Sequence, residues 1–170
     1  MPLFELRALT AEDLPLLHEW LNRPHVAEWW DGPVSLEQVL ADFMPELDSP
    51  EVSLFLPCLD GRPVAFAQVY RVLGSFWPDE TDPGARGIDQ FLAEPGLLNR
   101  GLGAALVRQL VGQIFAGDSA VTRVQADPAP DNARAIRCYE KAGLRRQRVV
   151  ETPDGPALLL SVTREEWSRE

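Results

Sequence analysis

Apolar residues recur along the chain at two spacings, one typical of strands and one typical of helices. Residues 4–9 read as a first strand. Leucines at helical intervals then predict a helix over residues 11–22, which is capped by a threonine and ended by Pro24. Ser35 caps a second predicted helix that reaches Pro45. The chain therefore begins with a strand followed by two helices.

A predicted hairpin comes next. Residues 52–59 and 63–73 have strand character, and the Asp60-Gly61 turn between them is a strong hairpin signal. After a loop rich in glycine, proline and acidic residues, the pattern predicts a strand over residues 87–92. A glycine-rich turn then opens a helix that reaches Phe115, with leucines at i, i+4 spacing.

The C-terminal part adds three strands and one helix. Residues 121–126 form a predicted strand, and Asn132 caps a helix that Gly143 can end in a left-handed conformation. Residues 144–151 and 157–162 form a final predicted hairpin. The whole order is β-α-α-β-β-β-α-β-α-β-β, which is the pattern of an α/β (α+β) protein.

Composition limits the function classes. With 170 residues, 45% of them hydrophobic, and no repeat, residues 1–170 are expected to form a single domain. We find no signal peptide and no apolar run near the roughly 18 residues of a membrane span, so we expect a cytoplasmic protein without a membrane partner. Cys58, Cys138, His18 and His25 lack the spacing of metal ligands, and no metal is expected.

The net charge of −10 disfavours nucleic acid as a partner, because polyphosphates require a cationic surface. It suits a cationic ligand. A general acidic surface that keeps the protein in solution explains the net charge equally well. Only the positions of the acidic residues can distinguish the two explanations.

Two segments carry candidate chemistry. The turn Arg100-Gly-Leu-Gly103 leads into a helix, whose first N–H groups are unpaired and suited to phosphate. It is neither a dinucleotide fingerprint, because Leu106 stands at the third glycine position, nor a P-loop. The second segment carries Asp127, the Asn132 cap and Tyr139. Alone, it is better interpreted as an amphipathic helix with a buried tyrosine.

In this order, the glycine turn, its helix, the 121–126 strand and the Asn132 helix with Tyr139 resemble the acetyl-coenzyme A site of the GCN5-related N-acetyltransferases (GNAT). Longer strings across the whole chain resemble the aminoglycoside 6'-N-acetyltransferases in particular. These strings are Glu19-Trp-Leu-Asn-Arg-Pro-His-Val-Ala-Glu-Trp-Trp30, Glu80-Thr-Asp-Pro-Gly-Ala-Arg-Gly-Ile-Asp-Gln90, Asp127-Pro-Ala-Pro-Asp-Asn132, Arg134-Ala-Ile-Arg-Cys-Tyr-Glu-Lys-Ala-Gly143 and Thr152-Pro-Asp-Gly-Pro-Ala157.

This chain departs from the family pattern at two places, and a second group of enzymes has similar strings. Leu98 stands where the superfamily commonly has Gln or Arg, and the loop over residues 74–80 is shorter than in the aminoglycoside enzymes. Much of the likeness is shared with the hydroxylysine and hydroxyornithine N-acyltransferases of siderophore synthesis. The Thr152–Ala157 string favours the aminoglycoside group.

The resemblance implies a central mixed, mostly antiparallel sheet flanked by helices, and a set of site residues. Asp89 is implied as the base or the substrate anchor, backbone N–H groups of residues 90–92 as oxyanion donors, and Tyr139 as the acid for the leaving thiolate. The implied coenzyme-binding residues are Gln90, Phe91, Leu92, Arg100, Gly101, Leu102, Gly103, Ala104, Asn132 and Ala135. The implied substrate-binding residues are Trp29, Trp30, Trp77, Glu80, Asp82, Asp89, Asp127 and Asp154.

Some of these residues have a second interpretation. Asp82 and Asp154 suit turns, and the tryptophans suit a core. The cations Arg86, Arg134, Arg137 and Lys141 are candidates either for phosphate contacts or for surface ion pairs. Cys138 is expected to face elsewhere than Tyr139, which argues against an acyl-cysteine.

The function hypothesis is an acetyl-coenzyme A-dependent N-acetyltransferase acting by direct transfer in a ternary complex. Its expected acceptor is a small polycationic amine, above all an aminoglycoside at its 6'-amine. The alternatives are the siderophore N-acyltransferase and a non-catalytic protein that binds coenzyme A or the drug. The expected assembly is a monomer or weak homodimer.

Overall fold

The computed structural model of the chain describes residues 3–74 and 80–170. Its strands are β1 (Glu5–Ala8), β2 (Val52–Leu59), β3 (Arg62–Pro63), β4 (Ala65–Arg71), β5 (Ala85–Leu92), β6 (Arg123–Ala126), β7 (Arg145–Thr152) and β8 (Gly155–Thr163). Its helices are α1 (Leu14–Leu21), α2 (Pro24–Ala27), α3 (Leu36–Leu47), α4 (Leu102–Gly117), α5 (Ala133–Lys141) and α6 (Arg164–Ser168).

Within the described residues, these strands form one eight-stranded sheet in the order β1-β2-β4-β5-β6-β8-β7, with β3 beside β2. All pairings are antiparallel except that of β5 with β6, which is parallel. The parallel pairing covers only Ala85–Gly87 against Arg123–Gln125. Beyond Gly87 the two strands no longer pair, which leaves a gap in the middle of the sheet.

Each face of the sheet carries its own apolar core. On one face, Val107 of α4 and Ile136 of α5 are buried together with Ile88 of β5. On the other, Leu17 of α1 is buried with Phe91 of β5. Because Ile88 and Phe91 are three residues apart in one strand, their side chains point to opposite faces. The predicted mixed sheet flanked by helices is confirmed.

The predicted helix boundaries needed correction near the prolines. The segment over 11–22 is a short 3₁₀ turn followed by α1, and Pro24 does not simply end a helix but begins α2. Proline fits there because the first position of a helix needs no N–H donor. The Ser35 side chain accepts from the Gln38 N–H, as a cap should, but α3 continues past Pro45 to Leu47.

The predicted strand over residues 52–59 has the correct boundaries, and the boundaries of the other predicted strands differ from those in the structure. The predicted 63–73 strand is interrupted at Val64, which separates β3 from β4 and whose N–H donates to Pro57 O at 3.0 Å. β5 begins earlier than predicted and β6 later, and the final hairpin has a bulge between Arg146 and Arg148. The short α6 was not predicted. In the described ranges, no helix is long and apolar enough to cross a bilayer.

Candidate functional site

The gap between β5 and β6 exposes backbone donors. The Ala93 N–H donates to Val64 O at 2.8 Å, towards β4. Because N–H directions alternate along a strand, the N–H groups of Gln90 and Leu92 point away from β4 and into the gap. The carbonyl of Leu92 also points away from β4, since it lies 2.9 Å from His25 Nε2. β5 therefore offers two donors to a ligand in the gap.

A cavity of about 360 Å³ lies at this gap, between the start of α4, helix α5, and α2 with the Trp29 and Trp30 that follow it. We call it the basic cavity, because its charged walls are Arg134, Arg137 and Lys141 and no acidic residue of the described chain lines it. The cavity also borders the N-terminal turn of α4, whose N-cap, Gly101, has φ +78° and no side-chain cap. Free helix N–H groups, three cations and glycine form a favourable anion site.

Glycine also allows α4 and α5 to come together at this cavity. A Cβ on Gly103 would lie 3.1 Å from Cys138 Sγ, so even an alanine there would require the Cys138 side chain to shift by a few tenths of an ångström. Asn132 caps α5 by accepting the Ala135 N–H at 3.2 Å. Its oxygen therefore holds the helix start that forms one wall.

A second cavity of about 700 Å³ opens beside the first. We call it the acidic cavity, because among the described residues seven carboxylates line it and its one cationic side chain, Arg71, pairs with Glu51 at 3.6 Å. The seven are Glu28, Asp31, Glu46, Glu51, Asp89, Asp127 and Asp154. Such a wall favours a ligand that carries several ammonium groups.

Asp89 and Asp127 form the least solvated part of this wall. Burial raises the pKa of Asp89, while the hydrogen bond from Gln68 Nε2 to Asp89 Oδ2, 2.8 Å long, acts in the opposite direction. Burial and the negative charges of Asp89 and Asp154 raise the pKa of Asp127 to about 7. The two carboxyl groups therefore hold protons at a pH where ordinary aspartates do not.

Tyr139 lines the acidic cavity close to these carboxyl groups. Burial, followed by the charges of Asp89, Cys138 and Asp127, raises the pKa of its phenol well above the ordinary value, so the phenol stays protonated. Tyr70 lines the same cavity and lies over Gly87, where a Cβ would come within 2.1 Å of its ring. Glycine at position 87 is thus required to seat this ring.

The two cavities share the residues Trp29, Trp30, Gln90, Asn132 and Ala135. Gln90 Nε2 donates to Cys138 Sγ at 3.7 Å, which ties β5 to α5 at this junction. Cys138 lines the basic cavity, as Tyr139 lines the acidic one, so the expectation that the two face apart is met. Burial raises the pKa of the thiol to about 11, which leaves it protonated and a poor nucleophile.

Several predicted site residues lie elsewhere. Arg100 and Leu102 line neither cavity, and Leu102 instead packs against the core.

Two predicted substrate-binding acids are paired within the protein. Glu80 pairs with Arg123, and Asp82 accepts from the Thr122 hydroxyl, so both acids hold the base of a loop. Arg86 lines neither cavity and lies 3.6 Å from Asp118. Trp77 falls outside the described residues. The sequence does not distinguish an acidic residue that is paired within the protein from one that is available to bind a ligand, and the structure does.

The other predicted residues do meet at the two cavities. The basic cavity contains Gln90, Phe91, Leu92, Gly101, Gly103, Ala104, Asn132 and Ala135. The acidic cavity contains Trp29, Trp30, Asp89, Asp127, Tyr139 and Asp154. The acidic cavity also contains residues that the sequence did not predict as part of the site: Gln68, Tyr70, Glu28, Asp31, Glu46 and Glu51. Gln68 had one usable signal, a polar side chain within an apolar strand.

Comparisons with known proteins show what the chain is similar to. Residues 10–152 match the family described as the Acetyltransferase (GNAT) domain. The chain is 48% identical to the aminoglycoside N(6')-acetyltransferase type 1 of Klebsiella pneumoniae over 96% of this chain and 85% of that protein. The structure of AAC(6')-Ib with coenzyme A and kanamycin is similar at TM-score 0.91 and 48% identity, covering 98% of each chain. Its structure with paromomycin and acetyl-coenzyme A reaches 0.92 at 47% identity, covering 98% of this chain and 96% of that one.

Proposed function

The chain belongs to the GNAT acetyltransferase family, and from this premise we propose that it transfers an acetyl group from acetyl-coenzyme A to the 6'-amine of an aminoglycoside. One observation carries the proposal. A basic cavity and an acidic cavity adjoin across a gap in the sheet, so an anionic donor and a cationic acceptor can meet there.

The basic cavity holds the coenzyme. Its phosphates fit the N–H groups of Gly103 and Ala104 in the first turn of α4 and the cations Arg134, Arg137 and Lys141. The N–H groups of Gln90 and Leu92 that face the gap suit the coenzyme's extended arm and the thioester oxygen. Leu98 offers no polar group in this cavity, so backbone donors and the α5 cations take the phosphate contacts.

The acidic cavity holds the acceptor. An aminoglycoside carries several ammonium groups, and the seven carboxylates can bind more than one of them at once. Asp127 and Asp89 flank the place where the reacting amine enters, next to the junction. Trp29 and Trp30 form the neighbouring apolar wall.

The reaction forms a C–N bond, breaks a C–S bond and removes two protons from the ammonium group. When bound, acetyl-coenzyme A supplies an acetyl group activated as a thioester. Asp89 accepts one proton, directly or through a water, and its raised pKa makes it a stronger base than an ordinary aspartate. Tyr139 gives a proton to the departing sulfur, and its phenolate regains one from the amine nitrogen, so the second proton ends on the thiol of coenzyme A. Cys138 remains a protonated thiol, which supports direct transfer.

The test follows free thiol with purified protein, acetyl-coenzyme A and separate acceptors. We expect thiol release with kanamycin and tobramycin, and much less with hydroxylysine or simple polyamines. Turnover restricted to hydroxylysine would replace this function with siderophore N-acylation. Tight binding of kanamycin without thiol release would indicate a binding protein that does not catalyse transfer.

A further inference from the structure

We propose that Trp30 sets the size of the acyl group and restricts the donor to acetyl thioesters. The inference rests on the proposed function and concerns the length of the acyl chain that the donor can carry. It follows from where the reacting carbonyl must lie and from how firmly one indole is held there.

The acyl group has to lie where the two cavities meet, because the amine arrives from one side and the thioester from the other. The walls shared by both cavities are the two tryptophans, Gln90, Asn132 and Ala135. Gln90 and Asn132 are polar, and Ala135 is small. An acyl methyl group therefore packs against an indole, and each further methylene of a longer chain pushes into it.

Trp30 is fixed by its aromatic neighbours. Its ring meets Phe91 edge to face with centroids 5.1 Å apart, and Phe66 in the same manner at 5.7 Å. Phe91 and Phe66 belong to the buried core between the sheet and helices α1 and α3, against which Trp30 packs. The ring therefore cannot swing aside without opening that core.

The backbone of Trp30 is held as well. Its N–H donates to Val26 O at 3.0 Å, just after α2. Two residues later, a Cβ on Gly32 would lie 2.6 Å from Ala27 Cβ and 2.7 Å from Leu21 O. The loop thus folds back tightly onto α1 and α2, and Trp30 is a rigid wall.

Donor selectivity provides the test. Wild type and the variants Trp30→Phe, Trp30→Leu and Trp30→Ala are assayed with acetyl-, propionyl- and butyryl-coenzyme A at saturating kanamycin. One methylene against a rigid apolar wall changes kcat/KM by about 10–200-fold, so wild type should prefer acetyl over propionyl by at least about tenfold. The preference should shrink in the order Phe, Leu, Ala, and butyryl transfer should appear in the last two.

Phe43→Leu is the matched control. Phe43 contacts the same Phe66 ring at 5.8 Å but lines neither cavity. Its substitution should lower the melting temperature and leave the donor preference unchanged. If Trp30→Ala does not fold, the Phe and Leu variants decide the question.

The outcomes separate the two proposals. A wild-type protein that releases no thiol from acetyl-coenzyme A would refute the proposed function. A wild type that transfers acetyl and propionyl equally well, or folded Trp30 variants that keep the wild-type donor ratio, would overturn the role of Trp30 alone.

Discussion

The carboxyl group of Asp127 should make the stability of the free protein fall as the pH rises. Burial and the charges of Asp89 and Asp154 place its pKa at about 7, against 3.8 for an ordinary aspartate. Between these values the folded chain binds more protons than the unfolded chain. Stability therefore declines through this window and levels off above about pH 7.

The size of the decline follows from the two pKa values. At about 1.4 kcal/mol per pKa unit, the whole window corresponds to roughly 4 kcal/mol, of which roughly 2.5 kcal/mol falls between pH 5 and pH 8. Asp127→Asn removes this titration. The variant should therefore gain stability relative to wild type as the pH rises, by about that smaller amount between pH 5 and pH 8.

The assay is urea unfolding of both proteins at pH values from 5 to 8 without ligand. Asp131→Asn is the control, because it makes the same substitution at an exposed side chain that lines neither cavity. Its pH profile should run parallel to that of wild type. If the pH profile of Asp127→Asn also ran parallel to that of wild type, the carboxyl group of Asp127 would not have the raised pKa described above.

Three further substitutions test the site. Tyr139→Phe should lower kcat by about 100-fold or more with little change in the acceptor KM, as measured by thiol release, because the acid for the sulfur is lost. Gln68→Leu removes the hydrogen bond that lowers the pKa of Asp89, so the acidic limb of the pH–rate profile should move to higher pH. Gly87→Ala should displace Tyr70 and cost about 1–3 kcal/mol in urea unfolding.

Much of the fold could be predicted because local signals were strong. The Asp60-Gly61 turn and the apolar run before it placed β2 correctly, and Asn132 capped α5 as expected. Short elements such as β3 and α6 escaped because a few residues carry too little periodicity. Pro24 and Pro45 misled the boundaries, since a proline can begin a helix or lie within one as readily as it ends one.

The sequence predicted site residues only where they lie within a recognisable motif. Asp89, Asp127 and Tyr139 lie in motifs, and the structure brings them to one cavity. Gln68 reaches Asp89 through strand register, which no local pattern reveals. Glu80 looked like a substrate ligand, yet its partner Arg123 lies 43 residues further along the chain. Distant pairing decides which acids remain free to bind a ligand.

The position of the acetyl group on the product tests the central claim most directly. Kanamycin is incubated with wild-type protein and acetyl-coenzyme A, and the product is examined by mass spectrometry and NMR. We predict a single acetyl group on the 6'-amine, formed at least about 100-fold more slowly by Asp89→Asn, because that variant lacks the base. Unmodified kanamycin, or an acetyl group on another amine, would contradict the account.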